Sequence, residues 1–474
     1  MTKILSRRVF LRIAGFSAAY LAVTGRLWAA ERLRKPTRPN IIFIMADDLG
    51  YGDLGCYGQK LIKTPNIDSL AKQGTRFTHC YAGSTVCAPS RSVLMTGQHT
   101  GHTRVRDNSP KVGGVLEAFG EGSRRLPLEA EDVTVAEVLK EAGYVTGITG
   151  KWGLGEPNTD GIPNKQGFDE WLGYLNQNHA PYYYTDYLWH NDKKKPLEGN
   201  KGGKREQYSQ DLFTDFAVDF IKRHKDGSFF LYVPYCIPHR RFEVPSTAPY
   251  ADNSWPENAK IYAAMITLLD KYVGRIMQTL KEVGVDDNTI VFFCSDNGAE
   301  QHSKKTGWKD LFDSFGPLRG AKGTPYEGGI RVPMIVRWPG HVPNGVLSEK
   351  PWYFADFMPT AAELAGARPA KNIDGISILP TLLGKEQELS KRYLYWELFT
   401  NGFQQIVRFG DFKGIKKGSG SKMELYNLKQ DISESNNIAS KYPDIVAQFE
   451  AYLRTARTDS PNWPIPGKKE GKIQ

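Results

Sequence analysis

The sequence predicts an α/β fold: a doubly wound, mixed but mostly parallel sheet flanked by helices, then a smaller C-terminal subdomain of antiparallel sheet plus helix. Three observations predict it. Short apolar runs that stop at acids or glycines alternate with segments of helical spacing, as in a buried parallel sheet. Near residue 380 this alternation gives way to closely spaced short strands. The length of 474 residues, 40% of them apolar, suffices for one large core with an appendage.

In chain order, residues 1–30 are set aside as an export signal. Ser6-Arg7-Arg8-Val9-Phe10-Leu11-Arg12 resembles a twin-arginine motif. The apolar stretch 13–24 is too short and too rich in Gly and Ala to span a membrane, and Ala29-Ala30 offers small residues for cleavage. A periplasmic or secreted product is the expectation, with the twin-arginine export machinery as a partner.

The main domain is expected over 38–380. Residues 41–46 form a short apolar run ending at Asp47-Asp48, a buried strand. A helix over 67–73 and a strand over 75–80 follow. A further helix begins at 90–95, directly after a loop bearing Cys87. Residues 134–142 have helical spacing and stop at Gly143; 145–149 is the next strand. The stretch 153–208, rich in Gly, Pro, Asn and Tyr, is expected as a long insertion near the site. Then come a helix (208–222), a strand (229–235), a long helix (258–283), strands at 289–295 and 332–337, and a helix within 353–365. The subdomain, 381–456, carries four short antiparallel strands (392–398, 404–408, 412–416, 424–427) and a helix at 443–456. Residues 457–474 form a loose tail.

Composition narrows the function class. The formal charge is +10, but five of the basic residues lie in 1–30, which hold no acid. The remainder is a modest excess, able to steer an anionic substrate. No basic stripe interleaved with aromatics argues for nucleic acid. Five cysteines in so long a chain are no disulfide framework; a Cys56–Cys80 pair is left open.

Two acid-bearing turns follow predicted strands: Asp47-Asp48, and Asp296-Asn297 after 289–295. In an open α/β sheet, ligands bind beyond the carboxyl ends of strands. Such turns can converge on a hard cation, and an all-oxygen set favours Ca²⁺ or Mg²⁺ over Zn²⁺. Alone, an Asp-Asp pair equally caps a turn. Arg91 lies four residues after Cys87 and shares a helix face with it.

The run Cys87-Ala88-Pro89-Ser90-Arg91-Ser92-Val93-Leu94-Met95-Thr96-Gly97 resembles the signature of type I sulfatases, whose cysteine is oxidised to formylglycine. The whole layout over 38–456 resembles the two-domain arylsulfatase fold of the alkaline phosphatase superfamily. The resemblance implies Asp47, Asp48, Asp296 and Asn297 as metal ligands, joined by the modified Cys87, with Ca²⁺ preferred over Mg²⁺. It implies a maturation enzyme for Cys87. Gly150-Lys151-Trp152-Gly153-Leu154-Gly155 resembles the family's Gly-Lys-Trp-His-Leu-Gly, giving Lys151 a contact to the sulfate. Gly153 departs from it, removing the histidine that helps expel sulfate; His99 and His102 are candidates to replace it. Pro238-His239 resembles the family's second histidine, which protonates the leaving oxygen. Lys322, in Gly320 to Gly329, matches its second lysine. Arg91 would brace the hydrated aldehyde or the metal ligands.

The expected activity is hydrolysis of a sulfate ester, a sulfated small molecule or oligosaccharide, by attack of the hydrated aldehyde on sulfur. Arg104 and Arg106 are further candidates for substrate contact, to a carboxylate or second sulfate, and Asn176-Gln177-Asn178-His179 with Tyr182-Tyr183-Tyr184 are candidates to line a sugar subsite. The rival expectations are a phosphate or phosphonate ester hydrolase of the same superfamily, and an inactive relative that binds sulfated glycans.

Overall fold

The computed structural model describes residues 38–120, 122–300, 308, 311–418 and 420–467; the export-like segment 1–30 and the end of the tail lie outside the described residues. Eleven strands form the central sheet. In chain order they are β1 (Asn40–Ala46), β2 (Thr75–Tyr81), β3 (Val145–Lys151), β4 (Glu170–Tyr174), β5 (Tyr187–His190), β6 (Lys193–Pro196), β7 (Phe229–Pro234), β8 (Thr289–Ser295), β9 (Arg331–Arg337), β10 (Val346–Ser348) and β11 (Trp352–Tyr353). Across the sheet they run β10-β2-β9-β8-β1-β7-β3-β4-β5-β6, with β11 also paired to β2. β1 pairs in parallel with β7 and β8, and β3 with β7 and β4. β9 is antiparallel to both of its neighbours. Every residue of β1, β7, β8 and β9 is buried, which is why these strands read as continuous apolar runs and not as alternating ones.

Helices cover both faces. They are α1 (Pro65–Lys72), α2 (Cys87–Thr96), α3 (Val135–Glu141), α4 (Ser209–His224), α5 (Glu257–Glu282) and α6 (Phe357–Leu364). On one face Ile41, Phe43 and Met45 of β1 pack with Leu94, Leu139 and Phe357, from α2, α3 and α6. On the other, Ile42 and Ile44 pack with Ile67, Phe213 and Ile266, from α1, α4 and α5. Successive residues of β1 thus feed two separate cores.

Two expectations change. The helix placed at 90–95 begins at Cys87 itself. Pro89 stands in its first turn, where its missing N–H costs nothing. The stretch 153–208 is not a loop insertion alone: it carries β4, β5 and β6 and extends the sheet. Gly150 of β3 faces Gly173 of β4 in register, and a Cβ on Gly173 would lie 1.8 Å from the Gly150 carbonyl oxygen. Glycine is obligatory at that crossing, and it erases the strand signature from the sequence.

The C-terminal sheet runs β12 (Tyr393–Leu398), β13 (Gln404–Phe409), β14 (Phe412–Lys417) and β15 (Glu424–Asn427), each antiparallel to the next. Tyr395, Val407 and Leu425 on one face pack with Phe449 and Leu453 of α7 (Pro443–Leu453). Trp396, Ile406 and Ile415 join the core of the central sheet. Trp396 Nε1 donates to the carbonyl of Ala82, in the segment leading to Cys87. All five cysteines are free, Cys56 and Cys80 included. Among the described residues no helix is long and apolar enough to cross a membrane.

Candidate active site

β1 and β8 end side by side, with Ala46 paired to Ser295. Asp47-Asp48 and Asp296-Asn297 therefore leave the sheet at one level, at its carboxyl edge. Backbone bonds fix both turns: Asp296 N donates to Ala46 O (3.0 Å), and Asp47 N to Ile237 O (3.1 Å). Asp48 holds a left-handed conformation, φ 65°, uncommon for a residue with a side chain and a form of strain that gathers at functional sites.

α2 aims its first residue at these acids. Cys87 is 2% exposed, and its Sγ lies 3.6 Å from Asp47 Oδ1. Ser90 anchors the same turn, donating from Oγ to Asp296 O and accepting from Gly83 N. Arg91, on the shared helix face, is fully buried. Its Nε and Nη2 both reach Asp296 Oδ2 (3.1 and 2.8 Å), and Nη1 donates to Lys151 O at 2.6 Å. One guanidinium thus ties the end of β3 to the turn after β8.

Two lysines complete the cluster. Lys151 Nζ, at the end of β3, donates to Asp47 Oδ2 at 2.7 Å. Lys322 Nζ donates to Asp48 Oδ2, also at 2.7 Å. His239, on the loop after β7, sits with Nε2 3.5 Å from Asp48 Oδ2. Its Nδ1 is 2.9 Å from Arg240 O, so Nδ1 carries the proton that bonds this carbonyl and Nε2 faces the acids. Tyr183 fixes this loop from beneath, its hydroxyl donating to Cys236 O (2.9 Å) and His239 O (2.6 Å). Lys322 and His239 side chains are 15% and 12% exposed, whereas Arg91 and Lys151 are sealed. The mouth is therefore on the Lys322–His239 side.

Three carboxylates (Asp47, Asp48, Asp296) meet three obligate cations (Arg91, Lys151, Lys322). Burial pushes the Asp47 carboxyl up, but Lys151, His239 and Arg91 outweigh it and hold it below its usual range. Burial likewise opposes ionisation of Asp48, and Lys322 and His239 overcome it. Burial, reinforced by Lys322, lowers His239 despite the two aspartates. Burial pushes the Cys87 thiol up to about 12 against the pull of Lys151 and Lys322. As a bare thiol it is neutral and a poor nucleophile.

The donor set fits a hard cation. Asn297 Nδ2 is used twice, by Asp48 Oδ1 and Gly298 O, while its buried Oδ1 has no hydrogen-bond partner. An oxygen left unpaired beside three carboxylates is what an oxygen-seeking ion requires. Ligand atoms of Asp47, Asp48, Cys87 and His239 all lie within 4.8 Å of one another.

Four sequence candidates are engaged elsewhere. His99 and His102 follow the far end of α2; ten helical residues place them about 15 Å along the axis from Cys87. They stack on each other, centroids 4.3 Å apart, and share Asp374. Neither replaces a histidine at Gly153. Arg104 is held by Glu129, Glu131 and Asp132. His179 is a core residue, stacked on Phe119 at 4.1 Å and bonded to Thr185 Oγ1 at 2.6 Å; burial lowers it to about 3.

Gly153 itself is explained. Its φ is +87°, and a Cβ there would come 2.5 Å from Gln177 Nε2. Gln177 donates that nitrogen to Gly153 O at 2.9 Å, and its buried Oε1 has no hydrogen-bond partner. A glutamine from the 153–208 stretch fills the ground into which a side chain at 153 would project. Gln177 and Tyr183, expected from sequence only as part of a sugar-lining stretch, instead support the site: Gln177 fills the space beside Gly153, and Tyr183 holds the loop that carries His239.

Comparison with known proteins gives concordant matches. A family model described as Sulfatase matches residues 39–367, and one described as N-sulphoglucosamine sulphohydrolase, C-terminal, matches 321–459. Human N-acetylgalactosamine-6-sulfatase is 34% identical over 372 residues, 73% of this chain and 66% of that protein. The N-acetylgalactosamine-6-O-sulfatase of Bacteroides thetaiotaomicron is 32% identical over 506 residues, 89% and 93% of the two chains. The solved structure of Ps i-CgsB in complex with k-i-k-neocarrahexaose superposes with a TM-score of 0.76 at 30% identity, covering 90% of this chain and 95% of that one.

Proposed function

The chain belongs to the sulfatase family and hydrolyses sulfate esters, and on that premise we propose that its substrate is a sulfated saccharide, with residue 87 acting as formylglycine beside Ca²⁺. One observation carries the reading: residue 87 stands inside a cluster of three carboxylates and three cations, 3.6 Å from Asp47, as a thiol that burial keeps neutral. Oxidation to an aldehyde, hydrated in water, would supply the attacking hydroxyl there that sulfur does not. Asp47, Asp48, Asp296 and Asn297 would hold the cation, which supplies positive charge against a sulfate oxygen and acidifies a neighbouring hydroxyl.

The chain's own residues do the rest. Three carboxylates and three cations balance, so a divalent ion leaves a double positive excess, suited to an incoming sulfate ester. Lys322, at the mouth, and Lys151, at the floor, turn from their aspartates toward the sulfate oxygens. His239, its Nδ1–H held by Arg240 O, presents Nε2 to the departing oxygen; it acts as the acid in its imidazolium form, after Nε2 has taken up a second proton from solvent at the mouth, and gives that Nε2 proton to the leaving oxygen. Arg91 positions Asp296 and the end of β3. Beside the mouth, Arg241 lies 3.6 Å over the Tyr182 ring and bonds its hydroxyl; this pair is suited to a sugar hydroxyl. A saccharide substrate also accords with the relatives whose names specify one.

The test uses exported, mature enzyme. Mass spectrometry of the peptide bearing residue 87 should show the aldehyde. Cys87→Ala should abolish sulfate release from defined sulfated oligosaccharides, and chelation should do the same reversibly by Ca²⁺. A persistent thiol with full activity, or faster turnover of p-nitrophenyl phosphate than of p-nitrophenyl sulfate, overturns the reading. Export by the twin-arginine machinery to the periplasm or beyond, and a dedicated maturation enzyme, belong to the same proposal and rest on the sequence of residues 6–24 and 87–97. Arg7→Lys with Arg8→Lys should strand the enzyme inside the cell.

A further inference from the structure

A cavity of about 1010 Å³ lies between the edge of the central sheet and the C-terminal sheet, apart from the cluster around residue 87. Its wall includes His79 of β2, Arg331 at the start of β9, and Arg392 and Arg408 of the C-terminal part; the acids that line it, Glu349, Glu386, Glu388 and Asp411, are all exposed to solvent. Arg392 and Arg408 come from one face. Arg408 pairs with Leu394 across the β12–β13 ladder, and Arg392 precedes Leu394 by two residues, which places the two arginines as diagonal neighbours.

Arg408 is 7% exposed. Its Nε donates to Gly410 O at 3.1 Å, its guanidinium lies 4.9 Å from the Tyr81 ring, and its Nη1 has no hydrogen-bond partner. The nearest buried carboxylate, Glu327, feels Arg408 but is shared with two closer-held cations and makes no hydrogen bond to it. Glu327 pairs with Lys413 at 2.9 Å and Arg331 at 3.3 Å, and accepts from the Tyr81 hydroxyl. Arg392 gives both Nη atoms to Asp356 and keeps an unpartnered Nε. Burial, with Arg331 and Arg408, drives His79 down to about 3, so it adds no charge but registers a positive field. A buried guanidinium short of counter-charge is costly, and its fork matches an oxyanion.

We propose that this cavity is a second anion site, in which Arg408 anchors one oxyanion, a sulfate or carboxylate group, free in solution or borne by a saccharide. The volume exceeds that of the anion alone and admits the sugar that would carry it. The inference stands on the cavity and does not depend on the chemistry at residue 87.

Calorimetric titration of the mature, Ca²⁺-loaded enzyme with inorganic sulfate tests it, in wild type, Arg408→Met and Arg408→Lys. If the free anion binds, wild type shows one more sulfate site than Arg408→Met, and Arg408→Lys binds it at least tenfold more weakly. If the anion arrives on a chain, the sulfate stoichiometries are equal, but Arg408→Met raises KM for a sulfated or uronate-bearing oligosaccharide about tenfold. In both cases kcat and KM for p-nitrophenyl sulfate are unchanged, and without oxyanion Arg408→Met melts no lower than wild type, because it removes an uncompensated charge. Equal stoichiometry together with unchanged oligosaccharide KM overturns the proposal. So does an Arg408→Met chain that fails to fold, since that would show the charge to be already compensated.

Discussion

His239 and Gly153 mark the two ends of what single residues decide here. His239 faces Asp48 across 3.5 Å, at the mouth, with its other nitrogen fixed on Arg240 O. In the role of proton donor proposed for it, its importance would scale with the basicity of the departing oxygen. His239→Ala should slow release of sulfate from a sugar hydroxyl by about 10²–10⁴-fold, and from p-nitrophenol far less; equal losses on both substrates, measured as kcat, would assign His239 to binding. At Gly153 the issue is space and backbone. Gly153→Ala meets Gln177 at 2.5 Å and must hold φ +87°, a cost of about 1–3 kcal/mol. Adding Gln177→Ala should recover the clash but not the backbone term, so a double-mutant cycle by urea denaturation should give a favourable coupling. Cys87, Arg91, Lys151 and Lys322 were legible because each sits in a run of restrictive neighbours. The partners of Arg104, His99, His102 and His179 were not legible, because residue type alone does not reveal a nearby group: three acids, a shared aspartate and an aromatic stack engage them.

At the scale of elements, the site is a property of strand ends. β1, β3, β7 and β8 lie side by side in parallel and deliver Asp47-Asp48, Lys151, His239 and Asp296-Asn297 to one edge. The apolar runs of β1, β7 and β8 were readable because both faces are buried, and the four short C-terminal strands were readable from their spacing. β4 was hidden because the Gly150–Gly173 crossing removes the side chains that announce a strand. Gly173→Ala should therefore destabilise the fold by about 1–3 kcal/mol as an overpacking defect. Because β4 leads into Gln177 and Tyr183, the same substitution should lower kcat on a saccharide sulfate while urea titration reports the stability loss; an unchanged midpoint would refute the close crossing.

For the whole molecule, acid is the exposed weakness. His79 and His179 are held near 3 and His99 near 4, each chiefly by burial. Folded, these imidazoles stay neutral; unfolded, they take up protons below about 6.5. The unfolded chain then binds more protons, so stability falls as pH drops from about 6.5 toward 4, by on the order of 3 kcal/mol for each histidine. Tm measured from pH 7 to pH 4.5 should show this decline, and His179→Phe should flatten it; a Tm independent of pH over that range would contradict the burial argument.

The enclosure of residue 87 sets a schedule as well as a site. With 2% of its surface exposed, behind a segment that Trp396 ties to the C-terminal sheet, the cysteine offers a second protein no foothold once the chain has closed. On the maturation proposed above, an oxidising catalyst of protein size would have a window that opens when this stretch leaves the ribosome and shuts when the last strands dock. Slower synthesis of residues 390–430 would lengthen that window, and the fraction of molecules carrying the aldehyde would rise with it.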